Sequence, residues 1–318
     1  MFLYSKETFK LSGALLFNAQ QQPWRGMTCN MSEINPISSM ICSDESQFMH
    51  WLARYYYSGC GKIVDMGPLA GGSTYSLASG LSRNEKVPKA RQIICSYDLW
   101  DFRVGWEQFF PGRELEPGGN IQPLFEENLK EYIQYVKPYK GDICSQVWPG
   151  EPIEILFLDA AKAPETMSHI CRYFFPHLIP GISLVLHQDF ISCQCPWIHL
   201  TMAHLSEFFE YVDSPFGGTV CFLLKESIPA SCLGIDCFSN VSLEDGRAMF
   251  RKVQDRLRGV YKLCVCLAEA FFVGMRNEVE LVHAIVHTVL DDPDFSRFPR
   301  HVQPDVDIIL SRFRLTDK

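Results

Sequence analysis

Short apolar runs alternate with helix-like patterns from residue 62 onward. Runs of this length that are apolar almost throughout are typical of strands covered on both faces. The candidate strands are "KIVDMG", "RQIICSYDL", "GDICSQVW", "IEILFLDA", "ISLVLHQDF" and "GGTVCFLLKE". The helical patterns between them cover Ser73–Arg83, Asn120–Tyr139, Pro164–Leu178 and Pro196–Val212. This alternation predicts an α/β fold with right-handed crossovers and a doubly wound, mostly parallel sheet.

The two ends of the chain differ from this central part. Residues 1–42 show no sustained period and predict an irregular flap, and a helix is predicted to follow. Ser43 can cap that helix, a stripe of Phe48, Trp51, Leu52 and Tyr55 faces one side, and Gly59 can end it. Beyond Ser227 only helical patterns remain. We therefore expect three parts: a flap and helix at 1–59, a ligand-binding domain at 60–227 and a helical appendage at 228–318.

Composition narrows the classes of function. A net charge of -8 argues against unaided binding to nucleic acid phosphates. The first apolar run, Leu11–Phe17, is short and follows Lys6, Glu7 and Lys10, so it matches neither a membrane span nor a secretory signal, which predicts a cytoplasmic protein with no membrane partner. Thirteen cysteines then indicate buried thiols, and the C-x-C pairs 193/195 and 264/266 do not predict a zinc site. The apolar "YKLCVCLAEAFFVGM" could bury itself in a second copy.

The most informative stretch is "IVDMGPLAGGSTYSLASGL", where a strand ends near an acid and turns through glycines into a helix. Such a turn either is merely tight or brings bare backbone up to a ligand. The glycines at 67, 71 and 72 do not have the G-x-G-x-x-G spacing of a nicotinamide-binding turn, and no Gly-Lys-Ser/Thr follows as in a phosphate loop.

The segment "DMGPLAGGS", Asp65 to Ser73, resembles motif I of class I S-adenosylmethionine-dependent methyltransferases, closest to the macrocin O-methyltransferase-like group. The resemblance covers about residues 60–226 and implies a seven-stranded Rossmann-like methyltransferase fold. It also implies that the turn passes beneath the methionine part of S-adenosylmethionine. The turn residues that would contact the cofactor are Asp65, Gly67, Gly71, Gly72 and Ser73.

Three further positions match this family. Asp98 ends the next candidate strand, where the family's acid binds both ribose hydroxyls, and one carboxylate can accept from two hydroxyls. The pair Gly141-Asp142 resembles the one ahead of the adenine pocket, which makes Asp142 and Ile143 edge contacts; the alternative for Asp142 is a turn residue. Asp159 ends the strand predicted to neighbour the cofactor strand.

The resembling group holds a divalent metal with two acidic positions. Here the candidate ligands are Asp159, Gln188 and Asp189, and the ion would be Mg²⁺. The group has an adjacent acidic pair where this chain has Gln188 and Asp189; glutamine adds no charge, so weaker metal binding or none is expected.

Methyl transfer also requires a base that takes the acceptor's proton, and Asp159 and His187 are the candidates. The alternative for His187 is a buried, hydrogen-bonded histidine, and a structural or surface role is expected for His199. His283 and His287 follow a polar helix face, so we expect them to be solvated rather than to bind metal.

The connector Leu99–Asn120 is long enough to be a lid or specificity element. Its aromatic residues Trp100, Phe102 and Trp106 either wall a ligand pocket or form a small core under the loop.

The resemblance implies methylation of a small or medium-sized organic acceptor such as a sugar, phenol or natural product, most plausibly at oxygen. The alternative is a catalytically inactive fold that acts as a partner or assembly module, and a nicotinamide oxidoreductase ranks third.

Overall fold

A computed structural model describes residues 22–27, 30–87, 91–213 and 217–313. The chain divides into two compact units. The first comprises the described residues up to 160 together with 169–188 and 208–230, and the second comprises 161–168, 189–207 and the described residues from 231 onward.

The first unit contains a seven-stranded sheet with the order β3-β2-β1-β4-β5-β7-β6. Its strands are β1 (Lys62–Met66), β2 (Ile94–Asp98), β3 (Val136–Lys140), β4 (Ile153–Leu158), β5 (Leu184–His187), β6 (Phe209–Asp213) and β7 (Val220–Leu224). Strands β1 to β5 pair in parallel, and β7 runs antiparallel to both β5 and β6. The predicted doubly wound, mostly parallel seven-stranded sheet is confirmed.

The order of strands places a topological switch between β1 and β4. From β1 the chain moves outward through β2 and β3, and β4 then returns to the other side of β1. Ligands of such sheets bind outside the carboxyl ends of the strands at the switch point. The glycine turn follows β1 and Asp159 follows β4, so both lie at that position.

Helices flank the sheet and make up the C-terminal part of the chain. They are α1 (Met31–Ile34), α2 (Ser43–Trp51), α3 (Gly72–Ser82), α4 (Gln122–Asn128), α5 (Pro164–Tyr173), α6 (Pro196–His204), α7 (Leu243–Gln254), α8 (Gly259–Gly274), α9 (Val279–Leu290), α10 (Pro293–Arg297) and α11 (Pro299–Arg312). The predicted helical character beyond Ser227 is confirmed for the described residues. None of the helices among those residues combines the length and hydropathy needed to cross a membrane.

Three predictions about local structure are wrong in part. "GDICSQVW" contains no strand but a 3-10 turn at Ile143–Ser145. The pattern assigned to a helix over Asn120–Tyr139 is helical only in α4 and a 3-10 turn at Ile133–Tyr135, after which it becomes strand β3. The helix predicted over Pro196–Val212 ends at His204, and its last residues belong to β6.

The predicted helix from Ser43 is confirmed as α2, which continues as a π-helical turn at Leu52–Tyr56. Phe48, Trp51 and Leu52 are buried, whereas Tyr55, expected in the same stripe, is exposed. Of the predicted flap over 1–42, residues 1–21, 28 and 29 lie outside the described residues. In the remainder, Trp24 is fully buried with its ring centroid 4.5 Å from that of Phe48.

Candidate functional site

The glycine turn depends on close backbone contact at Gly67. This residue has φ +91°, and a Cβ placed on it would lie 2.8 Å from the carbonyl oxygen of Asp159. At the ends of the paired strands β1 and β4, the Asp159 amide donates to the Met66 carbonyl at 2.9 Å. The turns after β1 and β4 are therefore packed backbone to backbone, and a side chain at Gly67 would force them apart.

The helix that follows the turn begins with a left-handed residue. Gly71 is the N-cap of α3 with φ +105°, and a Cβ there would lie 3.2 Å from the Phe125 ring. At Gly72 an added Cβ would lie 2.5 Å from the side chain of Ser39, so the segment before α2 packs directly on the start of α3. Two of the predicted cofactor-contacting glycines thus also face the protein's own side chains.

Asp65 lies in β1 with no exposed surface. Its Oδ2 accepts hydrogen bonds from the hydroxyls of Ser73 (2.9 Å) and Thr74 (2.5 Å). Burial raises the pKa of Asp65 to about 7, although the two hydroxyls oppose that shift. No described group donates to Oδ1. A buried carboxylate oxygen without a donor is costly, and a donor supplied by a bound ligand would remove that cost.

Asp98 ends β2 and is half-buried. Its Oδ2 accepts from the Leu69 amide at 2.9 Å and its Oδ1 from the Trp100 amide at 2.8 Å, while burial raises its pKa. The Trp100 indole N–H in turn donates to the Leu69 carbonyl at 3.1 Å. These three bonds fix the carboxylate beside the glycine turn, and each oxygen retains acceptor capacity for a further donor.

Trp100 and Phe102 of the Leu99–Asn120 connector are core residues. Trp100 and Phe102 are buried, and the Trp100 ring lies 4.7 Å from that of Phe125. Backbone hydrogen bonds from Phe102 to Gly119 and from Gly118 to Phe102, each 2.8 Å, close the loop on itself. Of the two alternatives left open by the sequence, the structure supports a small core under the loop for Trp100 and Phe102.

Gly141 and Asp142 directly follow β3 at the same edge of the sheet. The Gly141 amide donates to the Asp98 carbonyl at 2.9 Å. The Asp142 carboxylate accepts from the Cys144 amide at 2.9 Å and so caps the 3-10 turn in which Ile143 is buried. The turn role considered for Asp142 is therefore present, and Asp142 is exposed.

The two candidate bases differ in accessibility. Asp159 is half-buried at the end of β4, next to Gly67. His187 is the last residue of β5, pairs with Val220 across the antiparallel ladder and has no exposed surface. Its ring lies edge-on to Phe222 at 6.1 Å. Asp159 is thus the more accessible of the two groups.

Among the predicted metal ligands, Asp189 already has a cationic partner. Its carboxylate accepts a hydrogen bond from the Lys162 ammonium. The described parts of the chain contain no group of three or more His, Cys, Asp or Glu side chains that could hold a metal ion.

His199 has structural surroundings, whereas His283 and His287 are at least partly exposed. His199 is fully buried, bonds the Phe190 carbonyl at 2.5 Å through Nε2, and burial lowers its pKa to about 4. His287 is exposed and His283 half-exposed, with their rings 6.3 Å apart, whereas Val282 and Val289 on α9 are buried. These observations confirm the structural and solvated roles expected for them.

Sequence reasoning missed Glu45, a buried carboxylate at this edge of the sheet. Its Oε1 accepts from the amides of Gly218 (3.0 Å) and Thr219 (3.1 Å) and from the Thr219 hydroxyl (2.6 Å). Its Oε2 accepts from the Cys42 amide at 2.8 Å, which fixes the start of α2 next to the residue that enters β7. The only signal was an acid in a first helical turn, which does not reveal burial.

The chain resembles several solved structures at low sequence identity. No protein-family model matches the chain, and neither does any curated protein. Two structures of CalS11 resemble it, one described as a calicheamicin methyltransferase and one as a TDP-rhamnose 3'-O-methyltransferase of calicheamicin biosynthesis. Their sequences are 18% and 17% identical to this chain, and the TM-scores are 0.42 and 0.44. Both matches cover 70% of this chain, and they cover 95% and 97% of the respective CalS11 chains.

A structure of human N-acetylserotonin methyltransferase with SAM is 13% identical, with a TM-score of 0.33. The match covers 58% of this chain and 56% of the human chain. At these identities and TM-scores the three structures assign no activity to the chain.

Proposed function

We propose that this protein is an S-adenosylmethionine-dependent methyltransferase that methylates an oxygen of a small or medium-sized organic acceptor, such as a sugar, phenol or natural product. The observation that carries the proposal is the arrangement at the switch point of the sheet. The bare backbone at Gly67, the half-buried carboxylate of Asp98, the capping Asp142 and Asp159 all lie at or just beyond the carboxyl ends of adjacent parallel strands.

The chain's own residues fit the cofactor by charge. No group of the described residues donates to the buried Oδ1 of Asp65, and the cofactor's ammonium is a donor of the required kind. Asp98 offers two oriented carboxylate oxygens to a vicinal diol. We assign Gly67, Gly71, Gly72 and Ser73 to contacts with the methionine part of S-adenosylmethionine. We assign Asp142 and Ile143 to contacts with the edge of its adenine ring, and Asp159 is the last of the proposed cofactor-binding residues. The division into parts 1–59, 60–227 and 228–318 remains a prediction of the same proposal.

When bound, the cofactor supplies an electrophilic methyl group on a sulfonium. The protein must then position an acceptor hydroxyl and remove its proton as attack occurs. We propose that Asp159 is the base, because its carboxylate is half-buried at the end of β4 and needs no rearrangement to become accessible. His187 is the second candidate, and it would have to leave a fully buried position.

The candidate metal ligands fit Mg²⁺ poorly. Gln188 contributes no charge, and the Asp189 carboxylate is already neutralised by Lys162. Mg²⁺ in proteins relies on anionic oxygen ligands. We therefore route no step through a metal and assign proton removal to protein side chains.

A second function, an inactive partner or assembly module built on the same fold, is favoured by one observation. The protein's own groups occupy the glycine turn: Trp100 donates to the Leu69 carbonyl, Asn128 to the Ala70 carbonyl at 2.9 Å, and Ser39 packs on Gly72. A fold that had lost its cofactor could close on itself in this way.

Isothermal titration with S-adenosylmethionine and S-adenosylhomocysteine tests the proposal. Saturable binding of both, followed by release of S-adenosylhomocysteine in a screen of hydroxylated acceptors, is the expected result. Absence of binding by the folded protein would end the methyltransferase proposal. Binding without turnover on any acceptor would favour the module.

A further inference from the structure

The second unit contains a cavity of about 500 Å³ that the proposed methyl transfer does not use. Its apolar lining includes Trp197, Phe271 and Met275, and its charged lining consists of Lys162, Asp189 and Arg312. A volume of this size with apolar walls and a few charged groups is typical of small-molecule sites.

The aromatic walls of the cavity are fixed by their surroundings. The Trp197 indole N–H donates to the Ala161 carbonyl at 2.7 Å, and its ring lies edge-on to Phe238 at 5.8 Å. Phe271 packs edge-on to Phe313 at 5.5 Å. Walls held in this way lose little conformational entropy when a ligand binds, which favours affinity.

The charges of the lining leave one cation in excess. Lys162 and Asp189 form an ion pair and neutralise each other. Arg312 lies near the end of α11, is exposed and forms no ion pair with any residue of the described ranges. A guanidinium at the edge of an apolar cavity is suited to a carboxylate, sulfonate or phosphate group.

We propose that this cavity binds a small organic anion: an aromatic or aliphatic body against Trp197, Phe271 and Met275, with its acidic group on Arg312. The inference uses only residues of the second unit and does not depend on binding of S-adenosylmethionine. Failure of either proposal would therefore leave the other standing.

The test uses two fluorescent probes of nearly the same shape. 8-Anilinonaphthalene-1-sulfonate carries an anionic group, and N-phenyl-1-naphthylamine is the same ring system without it. We expect both probes to bind the full-length protein saturably and the anionic probe to bind more tightly.

Three variants separate charge from shape. Arg312→Gln should weaken the anionic probe by at least about fivefold, the scale of a lost charge-assisted hydrogen bond, and leave the neutral probe unchanged. Met275→Trp should weaken both, because Met275 lines the cavity and the larger side chain would fill part of it; the position is 43% exposed, so we expect the variant to fold. Arg297→Gln removes an equal charge from an exposed pair with Asp294 outside the cavity and should change neither.

Equal affinity of the anionic probe for wild-type protein and Arg312→Gln would overturn the proposal. So would non-saturable fluorescence that is the same in all variants. Thermal melting of each variant guards against the trivial explanation that the probes report unfolding.

Discussion

A Cβ placed on Gly67 would lie 2.8 Å from the carbonyl oxygen of Asp159, so the turns after β1 and β4 touch at backbone distance. This contact lies at the switch point of the sheet, where the first turn enters α3. Position 67 therefore requires glycine for close packing as well as for the proposed cofactor contact, and the two requirements can be separated by experiment.

Gly67→Ala should destabilise the protein more than the same change at Gly105. The two glycines have nearly the same φ, +91° and +92°, but nothing lies within 4 Å of a Cβ at Gly105. Gly105→Ala should cost about 1–2 kcal/mol of the free energy of unfolding, the strain of a left-handed alanine. Gly67→Ala adds the clash with Asp159. Urea unfolding measures both, and equal losses would show that the close contact is absent in solution.

Asp98→Ala should weaken binding of S-adenosylhomocysteine by a few kcal/mol, the scale of lost charged hydrogen bonds. Asp101→Ala is the matched control, because it removes the same charge three residues later from an exposed pair with Lys140. Isothermal titration of both folded variants gives the comparison. Unchanged affinity in Asp98→Ala would contradict the assignment of the ribose contact.

Asp65 should make stability depend on pH. Its pKa is raised to about 7 in the folded protein from an ordinary value of 3.8. Between these values the folded state binds more protons than the unfolded state, so stability falls as pH rises and levels off above about 7. Asp65→Asn keeps an oxygen for Ser73 and Thr74 but cannot titrate. The difference in unfolding free energy between variant and wild type should shift by a few kcal/mol in favour of the variant from pH 4 to pH 8.

The same group links protons to cofactor binding. If the cofactor's ammonium pairs with Asp65, the pKa of Asp65 falls on binding and a proton is released at neutral pH. Titrations in buffers of different ionisation enthalpy should detect net proton release near neutral pH, because burial raises the pKa of Asp65 toward that range in the free protein. Asp65→Asn should abolish the release. The same release from Asp65→Asn as from wild type would place the ammonium elsewhere.

The central strands could be predicted from the sequence, and the two edge strands, β3 and β6, could not. Strands β1, β2 and β4 are buried at nearly every position because both of their faces are covered. Strand β3 reads "VKPYK", has half-exposed and exposed positions, and exists because it pairs with β2. Because its sequence is polar, it lacks the apolar pattern of a buried strand. The strand was predicted instead in the apolar run that follows, "GDICSQVW".

The location of Asp98 and Asp159 at one edge of the sheet could be predicted from the topology. The hydrogen-bond partners of the residues at that edge could not. In a parallel sheet the residues after successive strands meet at one edge, which is why Asp98 and Asp159 could be placed together. The return of Trp100 onto Leu69 and the burial of Glu45 against Thr219 join residues distant in sequence. Such pairs arise only when tertiary structure forms, and nothing in the local pattern indicates them.

Millimolar Mg²⁺ should not raise the melting temperature, whereas S-adenosylhomocysteine should. A ligand that binds only the folded state stabilises it in proportion to its affinity. The Gln188 side chain carries no charge and Asp189 is paired with Lys162, so little affinity for the ion is expected. A saturable rise with Mg²⁺ that Asp159→Asn removes would restore the metal site.

The base is tested by comparing Asp159→Asn with His187→Gln. Asparagine keeps the size of the side chain but cannot take a proton, so kcat for S-adenosylhomocysteine release should fall about 10²–10⁴-fold while the acceptor KM changes little. His187 is fully buried beside Phe222, so its replacement should lower the melting temperature and leave kcat of the folded fraction near wild type. The reverse pattern would assign proton removal to His187 and require β5 to expose that ring during turnover.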